Sequence, residues 1–306
     1  MEDLDIDSSG TRLGAWRLRA RSDALRGPHG HPCVVMAHGF GATRDAGLLP
    51  FAEQFADAGA DVVLFDYRGY GTSDTAPGFP RQDVDHRRHR EDYVAAVRAV
   101  RALDGVDPDR VVLWGSSYSG GHVLPVAADD GRIAAVISQG AAVDGFGALL
   151  LMVRVSGVRH VARISGHALR DVAGSLLRRP PHHIPVVGEP GTLAAIAAPA
   201  AATGYQVIMG PTFRNEMCAR GVLRIALNRP VTAATRLRCP LLVVVAERDN
   251  VANPSAVRKA ARSTGGPVEV LELASGHFDI YTGEPFDRSV RAQVDFLTRT
   301  LAPAPA

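Results

Sequence analysis

The stretch Val111-Val112-Leu113-Trp114-Gly115-Ser116-Ser117-Tyr118-Ser119-Gly120-Gly121 decides the fold of this chain. An apolar, β-branched run ends abruptly in small residues around a serine, and an apolar stretch punctuated by glycine follows. This is the layout of a nucleophile elbow, in which a strand turns sharply into a helix and holds a serine hydroxyl at the tip. The turn is so tight that the side chains two positions before and after the nucleophile must be small. Ser117 meets this condition because Gly115 and Ser119 occupy those positions, although the strict pattern has glycine at 119.

The two other serines of this stretch fit the turn less well. A nucleophile at Ser116 would place the large side chains of Trp114 and Tyr118 at the restricted positions. Ser119 has small residues on both sides, but it lies too far beyond the end of the strand. We therefore expect Ser117 to be the nucleophile. Taken alone, the stretch is equally compatible with a serine-rich strand–helix turn that has no chemical role.

A candidate acid and a candidate histidine follow Ser117 further along the chain. Residues 241–246 form a continuous apolar run, typical of a strand buried on both faces, and Asp249 comes just after it. Residues 268–273 alternate and then break into a loop that contains His277. The carboxyl ends of parallel strands meet in one crevice, so these residues can converge on Ser117. A neutral imidazole can take the serine proton, and a buried carboxylate can orient that imidazole.

The order serine, acid, histidine resembles that of the α/β-hydrolase-fold serine hydrolases, and the resemblance covers nearly the whole chain. It implies an α/β fold, with a mostly parallel sheet, helices on both faces and an inserted, mostly helical cap. The segment 61–74 closely matches the family's strand followed by D-Y-R-G-x-G-x-S. His38-Gly39, after a strand at 33–37, resembles the family's oxyanion loop. Carried over, the oxyanion donors are the backbone N–H groups of Phe40 and Tyr118.

The identity of the acid is open between three residues. Asp249 is our first choice because it directly follows a buried strand. Asp144 is the alternative acid, since it follows the strand that ends near 138, where some family members place theirs. Glu247 lies at the same strand end as Asp249 and would serve if the turn differed by two residues.

Hydrophobic periodicity divides the chain into a core and an insertion. Residues up to about 20 predict a hairpin with its turn at 8–10. Strands at 33–37, 61–66, 111–115 and 133–138 alternate with helices near 48–59 and 84–103 and from 117, which predicts a parallel sheet. The pattern stops after 144 and resumes at 241. We predict one catalytic domain whose core is 1–143 and 231–306, with 144–230 as a helical cap over Ser117. The tail 302–306 is predicted to be frayed.

Composition narrows the class of protein. The formal net charge is +2, so no strong field favours a nucleic acid. The first residues are acidic and lack the apolar h-region of a signal peptide, and no uninterrupted apolar run is long enough to span a bilayer, so we expect a cytoplasmic protein without membrane partners. The three cysteines lack metal-ligand spacing, and we expect neither a metal nor another cofactor. His86 and His89 are interpreted as a solvated helix face and His122 as a packed histidine. A homodimer is left open.

These observations predict a serine hydrolase, esterase- or thioesterase-like, that cleaves an ester or thioester of a hydrophobic small molecule through an acyl-enzyme on Ser117. Two alternatives stay open: an acyltransferase or macrocyclase/lactonase of secondary metabolism with the same triad, and a non-hydrolytic isomerase or ligand binder. Tyr118 after the nucleophile resembles the X-prolyl dipeptidyl-peptidase and cocaine-esterase group, whose peptidases carry large domains missing here. The run 277–286 resembles small, capped bacterial hydrolases. Apolar cap residues are expected to line the pocket or to pack the cap, namely Leu149, Leu150, Leu151, Met152, Val186, Val187, Ile196, Ile208, Met209 and Phe213.

Overall fold

A computed structural model describes residues 1–302, so all but the first residue of the tail predicted to be frayed, 302–306, lies outside the described residues. The strands are β1 (Glu2–Ser8), β2 (Thr11–Leu18), β3 (His31–Ala37), β4 (Asp61–Phe65), β5 (Val106–Ser116), β6 (Ala135–Gln139), β7 (His183–Ile184), β8 (Met217–Cys218), β9 (Leu241–Ala246) and β10 (Val268–Leu273). The α-helices are α1 (Leu49–Asp57), α2 (His86–Arg101), α3 (Tyr118–Asp130), α4 (Gly145–Ser156), α5 (Val158–Leu176), α6 (Ala201–Ile208), α7 (Val222–Ile225), α8 (Pro254–Arg262) and α9 (Gly283–Leu301). Short 3₁₀ helices cover Ala219–Gly221, Pro230–Arg236 and Asp279–Tyr281.

Eight strands form one sheet in the order β1-β2-β4-β3-β5-β6-β9-β10. The β1–β2 hairpin and the β2–β4 pair are antiparallel, whereas every pair from β4 to β10 is parallel. Strands β4 and β9 are buried along their whole length, as expected for parallel strands covered by helices on both faces. The predicted α/β-hydrolase fold is therefore confirmed, and the carboxyl ends of β5, β9 and β10 lie at the same edge of the sheet.

The segment between β6 and β9 leaves the sheet. It contains α4, α5, α6 and α7, together with a two-residue antiparallel ladder between β7 and β8. The sequence did not predict this ladder, because two residues are too few to show an alternation. The limits of the cap at 144 and 230 stay a prediction. Within residues 1–302, no helix combines the length and the apolar character that crossing a bilayer would require.

The interpretation of His86 and His89 as a solvated face is wrong. Both side chains are buried, because the inner face of α2 runs through His86, His89, Tyr93, Ala96 and Val100 and packs on the sheet. The neighbouring arginines give the segment its polar character in sequence, but they lie on the other faces of the same helix.

Candidate active site

Ser117 lies at the point where β5 turns into α3. Its backbone has a φ of 58°, a strained conformation that non-glycine residues adopt mainly where the surrounding structure enforces it. Gly115 allows the turn, because a Cβ there would lie 2.4 Å from the Ser119 carbonyl oxygen. The Ser119 hydroxyl donates to the Ala37 carbonyl at 2.7 Å and accepts from the Ser116 N–H at 2.8 Å. Ser119 therefore ties the turn to β3, and its hydroxyl is occupied in doing so.

The structure brings Ser117, His277 and Asp249 together. His277 Nε2 lies 3.0 Å from Ser117 Oγ, and His277 Nδ1 lies 2.6 Å from Asp249 Oδ2. The other carboxylate oxygen, Oδ1, accepts from the backbone N–H groups of Val251 at 2.8 Å and Ala252 at 2.7 Å. The side chains of His277 and Asp249 are each only 3% exposed. Such an arrangement can move a proton from the hydroxyl to the imidazole while a fixed carboxylate holds the ring.

The two alternative acids lie elsewhere. Asp144 is the N-cap of α4, where its carboxylate accepts from the Phe146 N–H at 3.2 Å and pairs with Arg229 at 2.9 Å. Glu247 is exposed at the surface. Neither forms a hydrogen bond with His277 within residues 1–302, so the geometry does not favour the acid role for Asp144 or Glu247.

The loop after β3 lies close to Ser117. A Cβ on Gly39 would lie 3.1 Å from the Ser117 Cβ, which is tighter than an ordinary contact, so glycine at 39 favours the close approach of the backbone to the serine. The Tyr205 hydroxyl donates to the Phe40 carbonyl at 2.8 Å and so fixes the orientation of this loop. The Phe40 N–H donates no hydrogen bond within the described residues. Tyr118 is the first residue of α3, where N–H groups have no intrahelical acceptor.

Two cavities meet at Ser117. The larger encloses about 750 Å³ up to its open mouth, and its wall is mainly apolar, with Met152 and Val155 of α4 on one side and Ile196 on another. The smaller encloses about 330 Å³ and includes His277. Among the apolar residues expected to line the pocket, Met152 lines the larger cavity, Ile208 lines the smaller and Ile196 lines both, whereas Leu150 and Met209 are exposed.

A histidine and tyrosine cluster lies behind the oxyanion loop. His38, His89 and His122 are buried among Tyr67 and Tyr118, and the His89 ring stacks on Tyr67 at 4.1 Å between centroids. Burial lowers the pKa of His38 and lowers the pKa of His89 and His122 well below the ordinary value for histidine. These imidazoles are therefore neutral near pH 7. The interpretation of His122 as a packed histidine agrees with its place here.

Sequence reasoning missed two residues that the structure places at the site. The Tyr281 hydroxyl lies 2.5 Å from Ser116 Oγ, next to the candidate nucleophile. Asn228 lies in the wall of the larger cavity. Tyr281 could have been noticed from its position four residues after His277. Asn228 carries no local signal, because it is a single asparagine in an irregular segment.

Comparisons with known proteins agree with this fold. The profile of a family described as alpha/beta hydrolase fold matches residues 32–284. The quorum-quenching protein AidA of Acinetobacter baumannii is 39% identical over 97% of this chain and 94% of its own length. The polyketide transferase ATR5 of Stachybotrys chlorohalonatus is 28% identical over 98% of this chain and 97% of its own length. The crystal structure of the alpha/beta hydrolase GrgF from Penicillium sp. sh18 superposes with a TM-score of 0.78 at 24% identity, over 98% of this chain and 99% of that one. The chain therefore belongs to the α/β hydrolase fold family and is an enzyme of the hydrolase class.

Proposed function

We propose that the protein is a serine hydrolase that cleaves a carboxylic ester or thioester of a hydrophobic small molecule through an acyl-enzyme on Ser117. The observation that carries this proposal is the continuous set of contacts from Ser117 Oγ through His277 to the buried Asp249. The contacts lie at the junction of two cavities, one of them large and mainly apolar. A non-hydrolytic binder would not need all three side chains in this geometry.

The chemistry follows from the atoms at the site. Ser117 Oγ attacks the carbonyl carbon while His277 Nε2 takes the hydroxyl proton, and Asp249 stabilises the imidazolium that forms. The N–H groups of Phe40 and Tyr118 donate to the oxyanion. Collapse of the intermediate expels the alkoxide or thiolate, which receives the proton from His277. A water molecule then attacks the acyl-enzyme with the same imidazole as base, which releases the acid and restores the Ser117 hydroxyl.

The two cavities have different places in this reaction. The leaving group must lie beside His277 because it receives the proton from Nε2, and His277 lines the smaller cavity but not the larger. The acyl group then occupies the larger cavity, between α4 and residues 195–198. The preferred substrate accordingly combines a bulky apolar acyl group with a small alcohol or thiol.

Two measurements test the proposal. A fluorophosphonate probe followed by peptide mass spectrometry should label Ser117 in the native protein and leave the Ser117→Ala variant unlabelled. Ethyl esters and ethyl thioesters of straight-chain acids should then be hydrolysed by the native protein. Absence of both labelling and hydrolysis would overturn the proposal and favour a ligand-binding or isomerase role.

A second candidate function is acyl transfer, in which an alcohol or amine takes the place of water. It is supported by the similarity to a polyketide transferase along nearly the whole chain and by a smaller cavity of about 330 Å³ beside His277, which could hold an acceptor. The test is to add short alcohols during ester turnover and to measure the ratio of new ester to free acid. A ratio far above that expected from the alcohol concentration would identify a transferase, and a ratio near it would identify a hydrolase.

A further inference from the structure

Asn228 is a buried amide in the otherwise mainly apolar wall of the larger cavity. The residue is 1% exposed, and its side-chain oxygen accepts from Arg90 Nη2 at 2.5 Å. Arginine can only donate hydrogen bonds, so this contact fixes which end of the amide is the oxygen. The NH₂ group must therefore point away from Arg90.

The NH₂ group of Asn228 lies next to the Tyr118 hydroxyl, whose oxygen can accept from one of its two N–H groups. The second N–H has no acceptor within the described residues, and neither has the proton of the buried Tyr118 hydroxyl. Tyr118 and Asn228 both line the larger cavity. A buried donor without an acceptor costs stability and is uncommon in folded proteins. Two adjacent ones in the wall of a substrate cavity are accounted for if a ligand supplies the acceptor.

Arg90 strengthens this donor. The guanidinium is half-buried and has no carboxylate partner within residues 1–302, and burial lowers its pKa. A cation held against the Asn228 oxygen polarises the amide, so that its N–H groups become better donors. The main-chain carbonyl of Asn228 accepts from the Gly145 N–H at 2.7 Å, which holds the residue against the start of α4.

We propose that Asn228 binds an oxygen atom carried by the acyl part of the substrate, so that the preferred substrates are keto- or hydroxyacyl esters or thioesters rather than plain alkanoyl ones. The proposal rests on the serine hydrolase function proposed above, with the acyl group in the larger cavity. A neutral oxygen is favoured over a carboxylate, because a charge in this mainly apolar cavity would lose its hydration without a facing cation. Arg90 cannot supply that cation, since its contact with Asn228 lies behind the cavity wall.

The experiment uses ethyl esters of one chain length in which a single keto group is moved along the acyl chain, with the plain ester as reference. In the native protein, one keto position should raise kcat/KM roughly tenfold over the plain ester, as expected for one well-placed buried hydrogen bond. In Asn228→Leu, the ratio of keto to plain ester at that position should fall to about one. In Asn228→Asp, which keeps the shape and gains an ion pair with Arg90, keto esters should become disfavoured while hydroxy esters stay accepted.

Ser156→Ala is the matched control, since Ser156 also lines the larger cavity but its hydroxyl is directed at the Ala197 carbonyl. It should keep the native ratio of keto to plain ester. If no keto position is favoured in the native protein, or if the preference persists in Asn228→Leu, the amide binds only water and the inference is overturned. If Asn228→Leu does not fold, the isosteric Asn228→Asp decides by the same ratio. Failure of the proposed function would look different, because no ester would be hydrolysed at all.

Discussion

Replacement of Asp249 by asparagine should disable the site without disturbing its shape. In the native protein, Oδ1 of Asp249 accepts from two backbone N–H groups, those of Val251 and Ala252. An asparagine must therefore also present its oxygen to these donors, and its NH₂ group then faces His277 Nδ1. That nitrogen has to become an acceptor, so the ring proton moves to Nε2. The imidazole then points an N–H at Ser117 and cannot take its proton.

The expected loss is large because the wrong tautomer stops proton transfer altogether. The same change in the Ser-His-Asp triad of another serine hydrolase lowers kcat by about 10⁴-fold. We expect a fall of that order here, which corresponds to about 5.5 kcal/mol in the activation barrier. The assay is steady-state hydrolysis of one alkanoyl ethyl ester at pH 7. Melting temperature should change little, because the size of the side chain and its two backbone contacts are retained.

Asp144→Asn is the matched control, since it makes the same chemical change at the alternative acid. Asparagine is as good an N-cap as aspartate, and Asp144 forms no contact with His277 within the described residues. Activity of this variant should stay within about twofold of native, because only an exposed ion pair with Arg229 is lost. If Asp249→Asn keeps activity within tenfold of native, or if Asp144→Asn shows the larger loss, the assignment of the acid is refuted.

Three further outcomes are expected. Ser117→Ala should lower kcat on the order of 10⁴- to 10⁶-fold and leave the free energy of unfolding unchanged. Ser119→Ala should mainly reduce the free energy of unfolding, by about 1–3 kcal/mol, because buried groups lose their hydrogen-bond partners. The reverse result in ester turnover and urea unfolding would place the nucleophile at Ser119. kcat/KM should rise about fourfold for each added acyl methylene until the larger cavity is filled, since each buried methylene contributes about 0.8 kcal/mol. If acetyl esters gave the highest kcat/KM, the larger cavity would not be the acyl site. His89 and His122 stay neutral in the folded protein, so only the unfolded chain binds their protons once the pH falls below about 6.5. The free energy of unfolding should then decrease by up to about 1.4 kcal/mol per pH unit and per histidine. The measurement is urea unfolding at pH 7 and at pH 5. Equal free energies of unfolding at the two pH values would show that these histidines are not buried in the neutral form.

The sequence was sufficient for the parts of the site that sit at strand ends. Fully buried parallel strands leave long apolar runs, and the residues directly after them must meet at one edge of the sheet. This is why Asp249 and His277 could be placed beside Ser117 without any structure. The steric rule for the tight turn excluded Ser116, because Trp114 and Tyr118 would occupy its restricted positions, and the distance from the strand end excluded Ser119.

Other features depend on contacts between distant segments and left no local pattern. His89 has arginines as neighbours in the sequence, which predicts an exposed helix face, yet its face of α2 packs on the sheet. Asn228 acquires its place only because the chain from α7 folds back onto the start of α4. The β7–β8 ladder pairs residues 33 and 35 positions apart, and each strand is too short to show a period. Tertiary contacts determine these three features, so patterns among neighbouring residues in the sequence do not predict them.

The distance between Ser117 and His277 has to be held across 160 positions of sequence, and a buried polar network explains how this is achieved. The Tyr281 hydroxyl joins the turn after His277 to Ser116 at 2.5 Å. Burial raises the pKa of Tyr281 to about 12, so the phenol keeps its proton near pH 7. Gln139 donates to Ser116 at 3.3 Å, while its own oxygen accepts from Ser289 at 2.8 Å and from Gln293 at 2.7 Å. A buried network whose members are satisfied in this way favours one arrangement of its atoms, which is what the proposed proton transfer over 3.0 Å between Ser117 and His277 requires.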